Sequence, residues 1–585
     1  MYFSSNNERL RKQQKSDITI IIGNPPYSAK QKNEDSNQEK VNYPKLDKSL
    51  QKKWIKSSTA TNKNNLFDSY IRALHWSEKR INGNGIIGFI TNNSFIDGNA
   101  MDGMRKSLLK EFSDIYILNL KGTIRDKTKK QRKFEGGNIF DIMTGVTIVL
   151  LIKDESHVGE GVLHYLDIGN NLSKNEKLSR LANWSRFKNI EDKFKIIKPN
   201  DQGDWINQRN SNFNSLIPLG EKKSENALFI DYSGGIKTGR DEWAWGFSRD
   251  KVKRTMQRSI NYYNKHIGNT SLYSKDIEEL SWTQSLKTRF ERKEKQYFDE
   301  NRIYIGMYRP FTKKYVYYSK EWVDRQYQMS KIFPESYSKN ILISLSNKTK
   351  GKDFSSLLLN VLPDVNNFSG GSQNLPMYLY DEFGKYSAIR NNILEKLDDL
   401  SENEILFYVY GVFHSKEYAN EYFDDLSREF PRLPNLKYKK KYVEIGRKLA
   451  NLHLNYENQP KLENIIIDIN YQNLDYRVKR MKHPKKRNEN GKLVTDYSTI
   501  IFNESITIKN IPEKAYQYLV NGRPAIEWIM NQYQINNDRK SGVIDDPNEF
   551  SDNPKYILNL LISIITVSVE TLNLIDELPK FEMSE

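Results

Sequence analysis

The strongest chemical feature of the chain is the tetrapeptide Asn24-Pro25-Pro26-Tyr27, which follows the apolar run Ile18-Thr-Ile-Ile-Ile22. This run is rich in β-branched residues and is bounded by Gly23, so it predicts a buried strand. Two consecutive prolines cannot donate to a sheet ladder, and the strand must therefore end at Asn24. The Asn24 carboxamide is expected on a stiff turn at the carboxyl end of a strand, where open α/β sheets bind their ligands.

These residue types suit the holding of an aromatic amine. The Asn24 carboxamide oxygen and the Pro25 carbonyl can accept the two N–H groups of an exocyclic amine, which frees the nitrogen lone pair for attack on a methyl group. Pro26 stiffens the turn, and Tyr27 offers a flat face on which an extruded base can stack. The remaining task is alignment, which needs no acid–base triad. The alternative is a proline turn that only caps a core strand.

The composition limits the classes of protein to consider. At 585 residues the chain is expected to form about two to four domains. It has no cysteine, which excludes disulfides and thiolate metal sites and fits a reducing cytoplasm. The seven histidines lack metal-ligand spacing, so no metal site is predicted. The net charge of +17 favours a polyanionic partner, although a Lys-, Asn- and Ile-rich composition accounts for part of it.

Neither terminus predicts a membrane protein. The first residues contain no apolar signal core. The most hydrophobic window, Tyr556 to Ile575, contains Asn559, Glu570 and several hydroxyl side chains, which are costly in hydrocarbon. We therefore expect a buried helix in a soluble protein without a membrane partner.

Strand and helix patterns alternate through the first 155 residues. Strands are predicted at Gly85–Asn92, Asp114–Leu120 and Gly145–Ile152, and helices at Leu66–Ile81 and Ala100–Phe112. This alternation predicts a parallel, helix-covered sheet. The polar stretch from Lys30 to Asn65 has too few apolar residues for a core and is expected to form a mobile loop over the substrate site.

The tetrapeptide after an apolar strand resembles the catalytic motif of amino-group DNA methyltransferases, above all the adenine-specific ones. Later segments resemble the subsequent motifs of that class in the same order; they are Asn65–Tyr70, Gly88–Phe95 and Phe140–Thr147. The resemblance implies S-adenosyl-L-methionine as the cofactor, with Asn65, Phe67 and Asp68 contributing to its pocket. It also implies that Asn24, Pro25, Pro26 and Tyr27 are the catalytic residues.

The chain departs from this class at one important point. The glycine-rich motif that receives the methionine part of the cofactor normally lies upstream, yet only 23 residues precede Asn24. The glycines of Tyr232–Gly239 and Tyr442–Gly446 are poor replacements. We expect a partial Rossmann-like methyltransferase sheet whose cofactor half is missing and is supplied by an N-terminal half or a separate polypeptide. Without that partner, Ile18–Ile22 would be an exposed apolar edge.

The remainder of the chain resembles the carboxyl-terminal specificity region of type ISP restriction–modification enzymes. The matching stretches are Tyr232–Trp243, Tyr308–Tyr318, Phe407–Tyr418, Phe430–Pro434 and Asp538–Asn548. The expected organisation is a catalytic domain at 1–155, an α+β target-recognition region at 156–400, and a helical or mixed carboxyl-terminal part of the specificity region at 401–585. No nuclease or Walker motif is visible, so those activities are not predicted.

Several cations are predicted to contact DNA. Lys237, Thr238 and Arg240 lie beside a Gly234-Gly235 pair that we take as flexible. Other candidates lie in an aromatic segment and in the densest positive cluster, Arg477 to Arg487; they are Arg309, Lys313, Lys479, Arg480, Lys485 and Lys486. Each group has an alternative without DNA contact. The alternative is a solvated surface turn for Lys237–Arg240, a hairpin with one solvent-exposed face for the aromatic segment, and a solvated loop for Arg477–Arg487.

The sequence therefore favours the methyltransferase and target-recognition portion of a type ISP-like system that methylates the exocyclic amine of adenine in double-stranded DNA. The alternative is a non-catalytic DNA-binding specificity subunit, or a truncated relic, that needs a partner chain for cofactor binding.

Overall fold

The computed structural model describes residues 2–27, 43–60, 62–125, 129–221, 224–274, 278–346, 353–397, 399–489, 491–539 and 541–584. The chain forms two compact units, Met1–Asn210 and Ser211–Glu585. The sheet of the first unit continues past residue 155 as far as Ile197, so the residues up to Asn210 group with the amino-terminal strands.

The first unit combines one sheet with short and medium helices. Its helices are α1 (Tyr2–Lys15), α2 (Pro44–Leu50), α3 (Ser69–Arg80), α4 (Ser94–Asp97), α5 (Asp102–Glu111), α6 (Lys129–Glu135) and α7 (Lys174–Trp184). Its strands are β1 (Ile20–Gly23), β2 (Gly85–Asn92), β3 (Asp114–Lys121), β4 (Val146–Lys153), β5 (Val162–Asp167) and β6 (Lys195–Ile197). The predicted strands and the two predicted helices occur at the expected places, with small shifts at their ends.

The sheet has the strand order β1-β2-β4-β3-β5-β6. Strands β1, β2, β3 and β5 run in one direction, whereas β4 lies antiparallel between β2 and β3, and β6 is antiparallel to β5. The prediction of a parallel sheet was therefore wrong in this respect. Hydrophobic periodicity shows that a strand is buried, but it does not carry the direction of that strand.

Helices α3 and α5 cover one face of the sheet. Tyr70, Ile71 and Leu74 of α3 are buried in the same core cluster as Ile87 and Ile117 of the sheet. The apolar face of α3 that the sequence predicted is thus its core face, since apolar residues three and four apart lie on one side of a helix.

The residues before α3 differ from the predicted loop. Residues 30–42 and 61 of that stretch lie outside the described residues, but Pro44–Leu50 and Gln51–Ile55 are helical. Leu50 and Trp54 are fully buried, and they belong to the same core cluster as α3. Two large apolar side chains are enough to anchor this segment, even though its average composition is polar.

The second unit contains several small sheets surrounded by helices. Its helices are Asp241–Ala244, Arg249–Lys265, Gln284–Glu291, Met329–Ile332, Asn391–Leu394, Glu402–Phe413, Lys416–Glu421, Phe423–Leu426, Lys439–Leu454, Ala525–Gln532 and Tyr556–Asp576. Its strands are Ile217–Pro218, Ser233–Gly234, Trp245–Gly246, Ile303–Arg309, Thr312–Tyr317, Leu342–Ser346, Ser356–Leu359, Leu362–Pro363, Ser372–Pro376, Tyr378–Asp381, Gly384–Ser387, Arg432–Leu433, Ile466–Ile469, Lys485–Arg487, Leu493–Thr495, Ile500–Ile501, Ile506–Lys509, Leu519–Val520, Arg523–Pro524, Asn536–Asn537 and Ile544–Asp545.

Two four-stranded sheets form the centre of this unit. One contains the antiparallel hairpin Ile303–Arg309 and Thr312–Tyr317, and the other contains Leu342–Ser346 paired with Ser372–Pro376. The second of these sheets ends at the short strand Ser233–Gly234. The predicted motif around the glycine pair is therefore part of a sheet.

Helix Tyr556–Asp576 is long and apolar enough to cross a membrane by length and composition alone, but 67% of its most apolar window is buried inside the unit. Its hydroxyl groups have internal acceptors: Ser563 Oγ donates to Tyr456 O, and Thr566 Oγ1 donates to Pro460 O. These are the features of a core helix, because a hydroxyl group can leave water when the fold supplies a partner. The prediction of a buried helix agrees with this burial.

Candidate active site and nucleic-acid surfaces

The diproline corner lies at the carboxyl end of β1, as the sequence predicted. Asn24 and Pro26 are exposed, while Pro25 and Tyr27 are partly buried. The Tyr27 hydroxyl lies 2.8 Å from Asn24 Oδ1 and 3.2 Å from the carbonyl oxygen of Ile90 in β2. The tyrosine side chain therefore folds back toward the neighbouring parallel strand, and its hydroxyl contacts the Asn24 carboxamide.

Burial raises the pKa of Tyr27. The phenol consequently keeps its proton at neutral pH and donates it to the carboxamide or carbonyl oxygen. The acceptor oxygen that the sequence assigns to a substrate amine is thus occupied by a protein hydroxyl. A bound amine would have to replace this contact.

A chain of polar side chains extends along the same edge of the sheet. Asn93 Nδ2 donates to Asn119 Oδ1 at 3.1 Å, and Asn119 Nδ2 donates to the Tyr165 hydroxyl at 3.0 Å. Asn93 follows β2, whereas Asn119 and Tyr165 lie two residues before the ends of β3 and β5; the carboxyl ends of these strands share the edge with Asn24. The motif-like segment Gly88–Phe95 contains Asn93, whereas Asn119 and Tyr165 lie in none of the segments predicted to form the site. Their positions near strand ends were the available signal.

Strand β1 is the outer strand of the sheet and pairs only with β2 among the described strands. Ile21 packs on the core, whereas Ile20 is 61% exposed and Ile22 is 83% exposed. The prediction of a buried strand was therefore wrong among the described residues, and the apolar edge expected in the absence of a partner is present. An edge strand with exposed β-branched side chains is a ready site for pairing with further polypeptide.

The three predicted cofactor residues lie just before and at the start of α3. Asn65 is exposed, Phe67 is partly buried with the Arg72 guanidinium 5.8 Å from its ring centre, and Asp68 is buried at the amino-terminal end of the helix. They do not supply a glycine-rich turn for an amino-acid moiety, and the segment after β1 contains prolines instead. The described residues thus fit only part of S-adenosyl-L-methionine.

The glycine pair of the second unit serves close packing. A Cβ on Gly235 would lie 2.3 Å from the backbone oxygen of Asp364, and one on Gly234 would lie 3.3 Å from the Tyr327 ring. The expectation of a flexible pair was therefore wrong, because both glycines are fixed between neighbouring segments. Glycine is required where two backbones approach this closely.

The cations beside this pair have different environments. Lys237 is 49% exposed and its Nζ lies 2.9 Å from Asp324. Thr238 and Arg240 are buried; Thr238 binds Asp241, and the Arg240 guanidinium donates to Trp322 O and, at 3.1 Å, to Thr283 Oγ1. Burial lowers the pKa of Arg240 to about 10, so the group is still charged at neutral pH. Direct DNA contact requires an exposed side chain. Among these three residues, only Lys237 therefore remains a predicted DNA contact.

Arg309 and Lys313 belong to the central hairpin. Arg309 Nη1 lies 2.8 Å from the buried Asp364, and the guanidinium lies 3.9 Å from the Tyr308 ring centre. Lys313 forms an ion pair with Glu457, and its side chain is 17% exposed. Both cations are thus held by internal partners and are largely buried. These are the features of residues that join segments of the unit.

The basic cluster from Arg477 to Arg487 is mostly exposed. Lys479, Arg480 and Lys485 have no ion pair among the described residues, whereas Lys486 pairs with Asp496 at 2.9 Å. Lys485–Arg487 forms a short antiparallel hairpin with Leu493–Thr495. This surface therefore presents several solvated cations, partly on a short hairpin, which is typical of phosphate contacts and equally of a solvated loop.

Comparisons with known proteins agree with these two parts of the chain. The family model of the Eco57I restriction-modification methylase matches residues 2–124, and that of the Type ISP C-terminal specificity domain matches residues 227–560. A search of curated proteins found no match.

Three solved structures resemble the chain over essentially its whole length. They are the ATP-dependent Type ISP restriction-modification enzyme LlaBIII bound to DNA (63% identity, TM-score 0.89), a nuclease-deletion mutant of the Type ISP enzyme LlaGI with a DNA substrate mimic (44%, 0.86), and a DrdV–DNA complex (28%, 0.82). They cover 100%, 100% and 99% of this chain, which spans only 38%, 46% and 58% of theirs. The identity, the full coverage and the specificity-domain match together show that this chain belongs to the Type ISP restriction-modification enzymes.

Proposed function

We propose that the chain is the methylating and target-recognising portion of a Type ISP enzyme. In this proposal the first unit places the exocyclic amine of adenine for methyl transfer, and the second unit recognises a sequence in double-stranded DNA. S-adenosyl-L-methionine would supply the methyl group. The proposal assigns the catalytic part to residues 1–155 together with the strands up to Ile197, and recognition to the residues that follow.

The position of Asn24 carries the proposal. Its carboxamide is exposed on a proline-stiffened turn at the carboxyl end of β1, next to the Tyr27 ring. An amine that displaces the Tyr27 hydroxyl gains the carboxamide oxygen as an acceptor, and the Pro25 carbonyl supplies the second. The Asn93–Asn119–Tyr165 chain provides further polar groups on the same edge. Catalysis by such placement rests on orientation and pre-arranged dipoles.

Two substitutions of Asn24 test this proposal in the complete enzyme. Asn24→Ala removes the acceptor and should lower methyl transfer to duplex DNA by about 100-fold or more, as for loss of one pre-arranged polar group in other active sites. Asn24→Asp keeps an acceptor oxygen and should retain part of the rate. Transfer of labelled methyl groups and DNA affinity are measured together.

The affinity measurement separates chemistry from structure. The proposal requires that both variants bind DNA as the unsubstituted protein does. An Asn24→Ala variant with an unchanged methylation rate contradicts the proposal. An equal loss of DNA affinity in both variants would assign the turn a structural role instead.

A second candidate function is a DNA-binding specificity subunit without catalysis of its own. The exposed β1 edge and the partial fit to the cofactor favour it. Calorimetry of S-adenosyl-L-methionine binding to the isolated chain distinguishes the two candidates. Binding supports a self-sufficient catalytic unit, whereas binding only after addition of a polypeptide that completes the sheet supports a catalytic unit built from two parts. Absence of binding in both cases favours the specificity subunit.

A further inference from the structure

The segment Asp324–Gln328 lies directly beside the residues that follow the glycine pair. Arg325 and Lys237 exchange both backbone hydrogen bonds, at 3.0 and 2.9 Å. Residues directly opposite each other in an antiparallel pair extend their side chains to the same face. Arg325 and Lys237 therefore present two cations side by side on one exposed surface of the second unit.

The two cations differ in what remains available to a ligand. Lys237 Nζ is bound to Asp324 at 2.9 Å. The Arg325 side chain is exposed, and its guanidinium has no hydrogen-bond or ion-pair partner among the residues that the structure describes. Arg309, in contrast, is held by the buried Asp364. Arg325 thus keeps its whole planar set of donors for an external acceptor.

The backbone that carries Arg325 is fixed at both ends. Gln328 N donates to Ser233 Oγ at 3.0 Å, and Asp324 N donates to Thr238 O at 3.3 Å. The buried Arg240 guanidinium holds Trp322 O, two residues before Asp324. Side chains on a fixed backbone lose less freedom when they bind, which favours specific recognition.

Tyr327 marks the same segment. It has a φ of 50°, which is uncommon for a non-glycine residue. The residue is 47% exposed, and its ring lies next to Gly234. Strained backbone conformations cluster at functional sites, where the surrounding structure maintains them. The segment therefore combines an unpaired arginine, a neighbouring lysine and an exposed tyrosine with a positive φ.

We propose that Asp324–Gln328 is a base-reading segment in which Arg325 contacts the major-groove edge of a guanine in the DNA target. An arginine guanidinium matches the two acceptors of guanine with a pair of hydrogen bonds, whereas a phosphate contact carries no sequence information. Lys237, which lies beside Arg325, would contact a phosphate of the DNA backbone. This inference rests on the proposed recognition of DNA by the second unit.

Selection of bound duplexes from a random pool tests the inference with the full chain. The unsubstituted chain should yield a motif that contains a guanine. Arg325→Ala should yield the same motif without preference at that one position, and its affinity for the original motif should fall roughly 10- to 100-fold. Lys237→Ala should keep every preference and bind all duplexes more weakly, with a shallower salt dependence.

Two further variants keep the test decisive. Arg325→Lys retains the charge but not the paired donors. Loss of the guanine preference in this variant supports base reading by Arg325. Full affinity and an unchanged motif in this variant overturn base reading in favour of a phosphate contact. Lys416→Ala removes an exposed cation paired with Asp576 and should change nothing. An unchanged motif in Arg325→Ala overturns this inference alone. The absence of any motif with the unsubstituted chain overturns the proposed recognition function itself.

Discussion

At the scale of single residues, Tyr27 has two separable roles in the proposed site. Its ring lies beside the exposed turn, where an extruded base could stack on it. Its hydroxyl binds Asn24 Oδ1 and so holds the carboxamide in place before substrate arrives. The same hydroxyl competes with the amine for that oxygen. In the proposed mechanism the ring would stack on the base, whereas the hydroxyl would act only in the free enzyme.

Two substitutions of Tyr27 separate these roles. Tyr27→Phe keeps the ring and should retain methyl transfer at or above the rate of the unsubstituted enzyme, because Asn24 Oδ1 is released. Tyr27→Ala removes the stacking surface, which is worth about 1–3 kcal/mol per base, and should lower kcat/KM roughly 10-fold or more. Methyl transfer to duplex DNA measures both variants. Equal losses for the two would show that the hydroxyl, and not the ring, is essential.

At the scale of elements, the strand Ser233–Gly234 and its extension are held between segments that are distant in the chain. Gln373 and Asn374 pair with the strand on one side, and Ile236 exchanges backbone bonds with Pro363 and Val365. Packing of backbone against backbone leaves no space for a side chain at Gly235. The stability of this region therefore depends on the absence of one methyl group.

The glycine pair offers a matched comparison. Gly235→Ala places its Cβ against a fixed backbone oxygen and should lower the free energy of unfolding by about 2 kcal/mol or more. Gly234→Ala meets only the half-exposed Tyr327 ring, which can shift, so its effect should stay below about 1 kcal/mol. Urea unfolding of the full chain provides both values. A reversed order of the two effects would contradict this packing.

A buried histidine joins three helices in the carboxyl-terminal part. His453 Nδ1 accepts from the Tyr410 hydroxyl, and Nε2 lies 2.8 Å from Thr571 Oγ1. Thr571 in turn donates to Val567 O, and the network therefore fits a neutral imidazole with its proton on Nε2. Burial, together with the neighbouring His414, lowers the pKa of His453 well below its usual range.

This network predicts loss of stability in acid. The unfolded chain binds a proton at His453 below about pH 6.5 while the folded chain does not, so proton binding stabilises the unfolded state relative to the folded state as the pH falls. The free energy of unfolding should decrease by up to about 1.4 kcal/mol per pH unit below that value from this group. His453→Gln should show a correspondingly weaker pH dependence, and exposed His157→Gln should not. Equal slopes for all three proteins would contradict the prediction.

At the scale of the whole molecule, the most consequential feature is the uncompleted sheet of the first unit. The chain spans less than two-thirds of each of the three Type ISP and DrdV structures that it matches. Its β1 strand exposes Ile20 and Ile22 at the sheet edge. We therefore propose that further polypeptide, in the same protein or in a partner, covers this edge and provides the rest of the cofactor pocket.

Ile22→Lys tests the edge. A lysine on an edge strand opposes pairing with another strand. The isolated chain should become less prone to self-association, as seen by size-exclusion chromatography, while methyl transfer by the complete enzyme should fall sharply. Arg292→Ala, an exposed substitution on the second unit, should change neither property. Full methyl transfer by the Ile22→Lys enzyme would show that β1 needs no partner.

Features of the fold that depend on residues close in the sequence could be predicted, whereas features that depend on distant segments could not. The existence of the strand before Asn24 and the apolar face of α3 depend on neighbouring residues and on fixed periodicities, and these predictions were confirmed. The predicted burial of that strand was wrong, because burial depends on what pairs with its outer edge. The helical segments at Pro44–Leu50 and Gln51–Ile55 were missed because two buried side chains outweigh a polar average.

By itself, the sequence determined the local chemistry of this protein: a proline-stiffened carboxamide and phenol after a strand, and a basic, aromatic recognition-like region. Only the tertiary structure decided the direction of β4, the burial of Arg240 and the exposure of Arg325 beside Lys237. The physical reason is that burial and strand partners depend on segments far apart in the chain. Asp324–Gln328 and Ser233–Thr238 acquire their shared surface only when the backbone brings them together.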